Sequence, residues 1–200
     1  MLRCCSIPFS WLLLGVLLWS MPVEAGPPGQ KLRRTSLPAV GSIALPAEFT
    51  VMPDEAIAAK YPGPRKPLAA YSSANGKVDF IATEKNTPFK PGDLAILLRF
   101  YKANISNAYG NRVEYLQEQV VKINGREFIA FEFNSILSDG TGTGKGAPLR
   151  RYTYMLYTVL PATSATDTPR LLSLTFTCPS VLTADWQPIG RKVLATVKLK

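Results

Sequence analysis

The chain contains no histidine. That absence removes Ser-His-Asp and Cys-His nucleophiles and every metal centre built on imidazole. Cysteine is nearly as scarce. Cys4 and Cys5 lie at the extreme N-terminus, and Cys178 stands alone beyond them. After loss of the N-terminal segment no intramolecular disulfide can form. Cys178 ends the apolar run from Leu171 to Phe176 and is expected to be a small buried strand residue, not a reactive thiol. Long hydrophobic runs are also missing. A spanning helix needs about 20 apolar residues, and the run from Trp11 to Trp19 is about half that length.

What is present begins with an address. Arg3 supplies a positive start, residues 11–19 an apolar centre, and Val23-Glu24-Ala25 a site with slim residues at −3 and −1. Residues 1–25 therefore read as a secretory signal peptide cleaved near Ala25, and the chain as periplasmic or secreted. A lipoprotein needs a cysteine just after the apolar centre, and Cys4 and Cys5 precede it. The net charge of +9 survives cleavage, because Arg3 and Glu24 leave together. Residues 26–46 are rich in Pro and Gly, carry Lys31, Arg33 and Arg34, and read as a flexible N-terminal arm. Residues 47–200 read as a single domain, long enough to bury a core without disulfides.

Within that domain, residues 49–52 suggest a short strand. Residues 60–67 hold three prolines and read as a rigid, basic, extended loop. Asn75-Gly76 marks a hairpin. Asp93 is placed to start a helix whose apolar stripe is Leu94, Leu97, Leu98, Tyr101 and Ile105. Strand candidates follow at 113–123, 126–136, 151–160 and 170–178, the first with a broken pattern that predicts a bend or bulge. Asn124-Gly125 forms a second tight turn. In the second strand Ile129, Phe131 and Phe133 alternate with Phe128, Ala130, Glu132 and Asn134, so both faces carry phenylalanine. Thr183 is expected to cap a last helix bearing Trp186, Ile189, Val193 and Leu194. The fold class is α+β: an antiparallel β-sheet with helices packed on both faces, an α/β/α sandwich.

This order of elements resembles the Mog1/PsbP-like fold, including the small exported bacterial proteins that share it. The resemblance rests on the opening Phe49-Thr50-Val51-Met52 and Tyr61-Pro62, and on the hairpin before the amphipathic helix. It continues in Ile123-Asn124-Gly125-Arg126-Glu127-Phe128, and in Trp186 on a helix leading to Val193-Leu194-Ala195-Thr196-Val197-Lys198. It implies an antiparallel sheet sandwiched by helices and an accessory or binding role instead of an enzymatic one. Some members bind a small GTPase and some assist a photosynthetic complex. No catalytic set comes with it.

The chemical motifs point the same way. Residues 140–146 superficially resemble a phosphate loop, but Asp139 and Gly146 stand where the pattern needs Gly and Ser or Thr. As a calcium loop the same stretch ends on Arg150, where a bidentate Glu belongs. Glu114, Glu118, Glu127 and Glu132 are the carboxylates available for glycoside chemistry. Glu132, inside an aromatic strand, is the most suggestive, and its ordinary reading is a rim position or a partner to a basic side chain. Tyr152, Tyr154 and Tyr157 are expected at a core edge with hydroxyls in water. No catalytic residue, cofactor or metal is expected. The positive charge is scattered and lacks a nucleic-acid motif, so nucleic acid is not the expected partner. The expected partner is an envelope protein, bound by the 60–67 loop and the 138–151 hairpin tip through Lys60, Tyr61, Arg65, Lys66, Lys145, Arg150 and Arg151. The alternative is peripheral binding of anionic lipid or polysaccharide through basic patches.

Overall fold

A computed structural model describes residues 30–110, 112–137, 149–162, 164 and 167–200. The segment read as a signal peptide, and Lys145 with residues 138–148, lie outside the described residues. In chain order the elements are β1 (Leu32–Leu37), β2 (Gly41–Pro46), β3 (Thr50–Val51), α1 (Asp54–Lys60), β4 (Ala69–Ser72), β5 (Asp79–Asn86) and α2 (Leu94–Ala108). Then follow β6 (Val113–Ile123), β7 (Arg126–Leu137), β8 (Leu149–Leu160), β9 (Arg170–Pro179), α3 (Thr183–Ala195) and β10 (Lys198–Leu199).

Seven strands form the main sheet in the order β3-β4-β5-β9-β8-β7-β6, with every neighbouring pair antiparallel. Asn124 (φ +48°) and Gly125 (φ +85°) both take the left-handed region, the conformation that a two-residue turn needs to match strand twist. The broken pattern of β6 is a register shift between Tyr115 and Gln117. Alternation along β7 sorts the core into two layers. Phe128 and Ala130 join Tyr152, Leu156, Leu174 and Phe176 beneath Val193 and Leu194 of α3. Ile129, Phe131 and Phe133 join Leu94, Leu97, Tyr101 and Ile105 of α2. Gly190 lets α3 approach this closely: a Cβ there would lie 2.6 Å from Cδ1 of Phe176.

Three expectations need correction. Residues 32–46 are not a loose arm. They form the hairpin β1–β2, joined by β10 into a second, three-stranded sheet that buries Leu37, Val40, Ile43 and Leu45 beside α3. Gly41, within the stretch expected to be a loose arm, pairs with Leu199 of β10, and a Cβ there would collide with the Lys198 carbonyl. Second, the chain after Met52 turns into a helix before the proline-rich loop. Pro53 precedes α1, Asp54 and Glu55 fill its first turn, Lys60 ends it, and Ile57 packs on Met52, Ala70 and Ile81. Third, the α+β class stands, but the expected α/β/α sandwich, with a layer of helices packed over both faces, is not built, because the helices cover each face only in part. On one face α3 shares the cover with the second sheet. On the other, α2 lies over β6 and β7 while α1 lies over β4 and β5. Seven strands at about 4.8 Å spacing are wider than two such short helices can roof, and the central strand β9 is left open between them.

Candidate functional site

The gap between α1 and α2 is a groove of about 510 Å³ on the face of β5, β9 and β8. Its geometry follows from strand alternation. In β9, Leu172, Leu174, Phe176 and Cys178 point into the α3-side core, which sends Ser173, Thr175 and Thr177 to the opposite face. Arg151 and Thr153 of β8 lie on that face beside them, and Tyr61, Tyr101 and Tyr109 stand along the walls. The floor therefore mixes hydroxyls with the apolar side chains of Ile81, Met155 and Leu171, the walls are aromatic and the charges positive. Lys85 stands at the rim, 5.3 Å from the centroid of the Tyr101 ring.

Arg151 is the central charge. Its Nε donates to Thr177 Oγ1 at 3.2 Å, and that hydroxyl donates to the Tyr152 carbonyl at 3.0 Å. Nη2 is buried with no hydrogen-bond partner, and no carboxylate among the described residues pairs with Arg151. Its field reaches both phenols of the wall. Burial raises the pKa of Tyr61 and of Tyr109, and the Arg151 charge opposes that rise in each.

The side chains singled out from sequence divide into separate places. Lys60, Tyr61 and Arg151 meet in the groove. Lys60 and Tyr61 do not project as a docking loop, because both turn inward to Asp79. Lys60 Nζ lies 3.0 Å from Asp79 Oδ2 and also donates to the Gly76 carbonyl at 2.7 Å. Tyr61 Oη donates to Asp79 Oδ2 at 2.8 Å, and Ser72 Oγ to Oδ1 at 2.6 Å. The carboxylate is buried, and these donors replace its lost water. Lys66 makes an exposed pair with Asp54 at 2.7 Å, of the kind worth at most about 1 kcal/mol. Arg65 is exposed on the same loop. Arg150, one residue from Arg151, lines a different hollow with Glu114 and Asn134.

Glu132 belongs to the other face, under α3, and is fully buried. It accepts from Tyr152 Oη at 2.8 Å, Gln187 Nε2 at 2.6 Å and Arg191 Nε at 3.0 Å. It is thus the partner of a basic side chain, and not at a rim. Tyr152 is likewise buried, with its hydroxyl on Glu132 and not in water. Burial, then the bond to Glu132, push its phenol well above the ordinary range.

Cys178 is buried, and burial pushes its thiol up to about 11. Alkylation by iodoacetamide at pH 8 is therefore expected to run about a hundredfold slower in the folded protein than after unfolding. Because the folded pKa is the higher one, the associated stability is complete below about pH 8.5 and is lost as pH rises through about 11. Urea midpoints measured from pH 8 to 11 check this. Among the described residues no cluster of three metal-ligating acidic, Cys or His side chains occurs. No helix among them is long and apolar enough to cross a membrane.

Sequence reading missed the floor of the groove. The signal was present in Ser173-Leu174-Thr175-Phe176-Thr177, where hydroxyl residues alternate with large apolar ones. A strand buried on both faces has no reason to alternate in this way.

No protein-family model matches the chain, and no curated protein sequence does. Solved structures match it in shape. One is the cyanobacterial PsbP (CyanoP) of Synechocystis sp. PCC 6803, with TM-score 0.56 and 10% identity over 86% of this chain and 94% of that one. Another is LpqN of Mycobacterium tuberculosis, described as involved in cell envelope biogenesis, with TM-score 0.51 and 12% identity over 86% and 92%. The Ran-binding protein Mog1p of Saccharomyces cerevisiae aligns more loosely, with TM-score 0.49 and 12% identity over 85% and 96%. Identities this low establish shape alone, and the shape of this chain is the Mog1/PsbP-like fold.

Proposed function

We propose that the chain is a non-enzymatic accessory domain, exported by residues 1–25, that binds a protein of the cell envelope. One observation carries the reading. The groove over β9 is open and lined by positive, hydroxyl, aromatic and aliphatic side chains, while the buried acids Asp79 and Glu132 are each fully engaged by structural donors. A carboxylate held by three donors is poorly suited to move a proton, whereas an open groove on a rigid sheet suits recognition. The fold shared with LpqN, a protein described in connection with envelope biogenesis, supports the compartment. So does the N-terminal segment, with its positive start, apolar centre and slim cleavage site.

The test is photo-crosslinking in intact cells. A crosslinking residue replaces Lys85 at the groove rim in one variant and Lys122 at the far hairpin in another, followed by pull-down and mass spectrometry. A stoichiometric envelope protein captured at position 85 and not at 122 is the expected result. Equal capture at both positions, or none, overturns the protein-partner reading.

A further inference from the structure

We propose that the groove over β9 is a binding site for an acidic glycan, with Arg151 as the anchor for its carboxylate. Buried guanidinium nitrogens are ordinarily hydrogen-bonded, and a buried nitrogen without a partner calls for an explanation. Nη2 of Arg151 is such a nitrogen, in a groove whose described residues offer no acid to pair with it. The bond from Nε to Thr177 fixes the plane of the guanidinium before any ligand arrives, and no carboxylate among the described residues neutralises its charge.

The rest of the lining selects among anions. Ser173 and Thr175 present hydroxyls that donate and accept, which matches the alternating needs of sugar hydroxyls. The walls carry Tyr61 and Tyr109, large rigid faces with polar tips against which an apolar ring face can lie. Lys85 adds a second positive charge at the open edge, suited to the next acidic unit of a chain. An acyl chain would use the apolar patch of Ile81, Met155 and Leu171 but would leave Arg151 and the hydroxyls of Ser173, Thr175 and Thr177 without partners. An extended peptide binds a sheet through a free edge, but β9 is paired on both sides by β5 and β8. The volume of about 510 Å³ falls within the range of small-ligand sites. The site lies in the same groove that carries the protein-partner reading, and the two are told apart by their tests: calorimetry with the purified protein reads the glycan, and crosslinking at position 85 in cells reads the protein partner.

The experiment is calorimetric titration of the purified protein with a mannuronate hexamer at physiological salt, with cellohexaose as the neutral control. Expected are binding of the acidic hexamer and at least tenfold weaker binding of cellohexaose. Arg151→Gln is expected to weaken binding of the acidic hexamer at least tenfold. Thr177→Val, which keeps the charge but releases its orientation, should lose about three- to tenfold. Lys85→Ala, at an exposed position that leaves folding untouched, should lose about threefold and keeps the test valid if Arg151→Gln does not fold. No binding of the mannuronate hexamer overturns the proposal. So does equal binding of cellohexaose, or affinity indifferent to Lys85→Ala and to whichever groove variants fold. Inorganic phosphate binding as tightly as the hexamer would reduce the site to a small-anion site and also overturn it.

Discussion

Arg191→Ala is expected to lower the thermal midpoint by about 6–12 °C. Glu132 is fully buried on β7, and Arg191 reaches it from α3 through Nε and Nη2, each at 3.0 Å. Gln187, one turn earlier on the same helix face, supplies the neighbouring donor. Removing one partner of a buried pair leaves the other charge desolvated, which costs about 3–5 kcal/mol. The Arg191 side chain is 54% exposed, so water partly screens the pair and the lower end, about 3 kcal/mol, applies. For a domain of this size each kcal/mol moves the midpoint by about 2–4 °C. The companion variant separates charge from contact. Glu132→Gln keeps an oxygen for Tyr152 but removes the charge, so combining it with Arg191→Ala should restore at least half of the loss. A single variant that melts like the parent would mean that the ion pair does not hold α3 to the sheet. Scanning calorimetry of the single and double variants decides.

Asp79→Ala is expected to cost a similar amount, about 3 kcal/mol, and to damage the groove as well. Three donors converge on this buried carboxylate from α1, its C-terminal cap and β4: Lys60, Tyr61 and Ser72. Alanine leaves the Ser72 hydroxyl buried without this acceptor and frees the end of α1, and with it the Tyr61 wall. Asp79→Asn retains the shape and one acceptor oxygen, and should lose roughly half as much. Urea unfolding gives the stability. A lowered midpoint with unchanged slope is the expected form, since the same surface is still exposed on unfolding. If Asp79→Ala unfolds at the parental midpoint, the cluster is ornamental and the wall is held by Ile57 packing alone.

Much of this architecture is legible in the residues because it obeys local rules. Asn124-Gly125 requires two left-handed residues, and the strands on either side then have only one register. The stripe Leu94, Leu97, Tyr101 and Ile105 is the buried face of α2, with Leu98 at its margin. The double-faced phenylalanines of β7 are the two core layers. What escaped reading depends on distant partners. Ser42-Ile43-Ala44-Leu45 is too short and too close to Pro and Gly to announce a strand, and it becomes one only because β1 and β10 pair with it. Lys60 and Tyr61 read as exposed loop residues because Asp79 lies 19 and 18 positions away. The groove itself is a consequence of what two short helices leave uncovered, a property of the sheet's width that no local pattern states. Of the basic residues marked as a contact surface, the structure gathers Lys60 and Arg151 and separates Arg65, Lys66 and Arg150 from them.

We propose that recognition occurs on the open face of β9 and not on the proline-rich basic loop. The most direct measurement is the map of backbone amide shifts in the ¹⁵N-labelled protein as the mannuronate hexamer is added. The largest changes are expected on residues 151–155 of β8 and 173–177 of β9, with Tyr61 and Tyr109 following. Changes concentrated on Arg65 and Lys66, or on Arg33 and Arg34 of β1, with β9 silent, would contradict it.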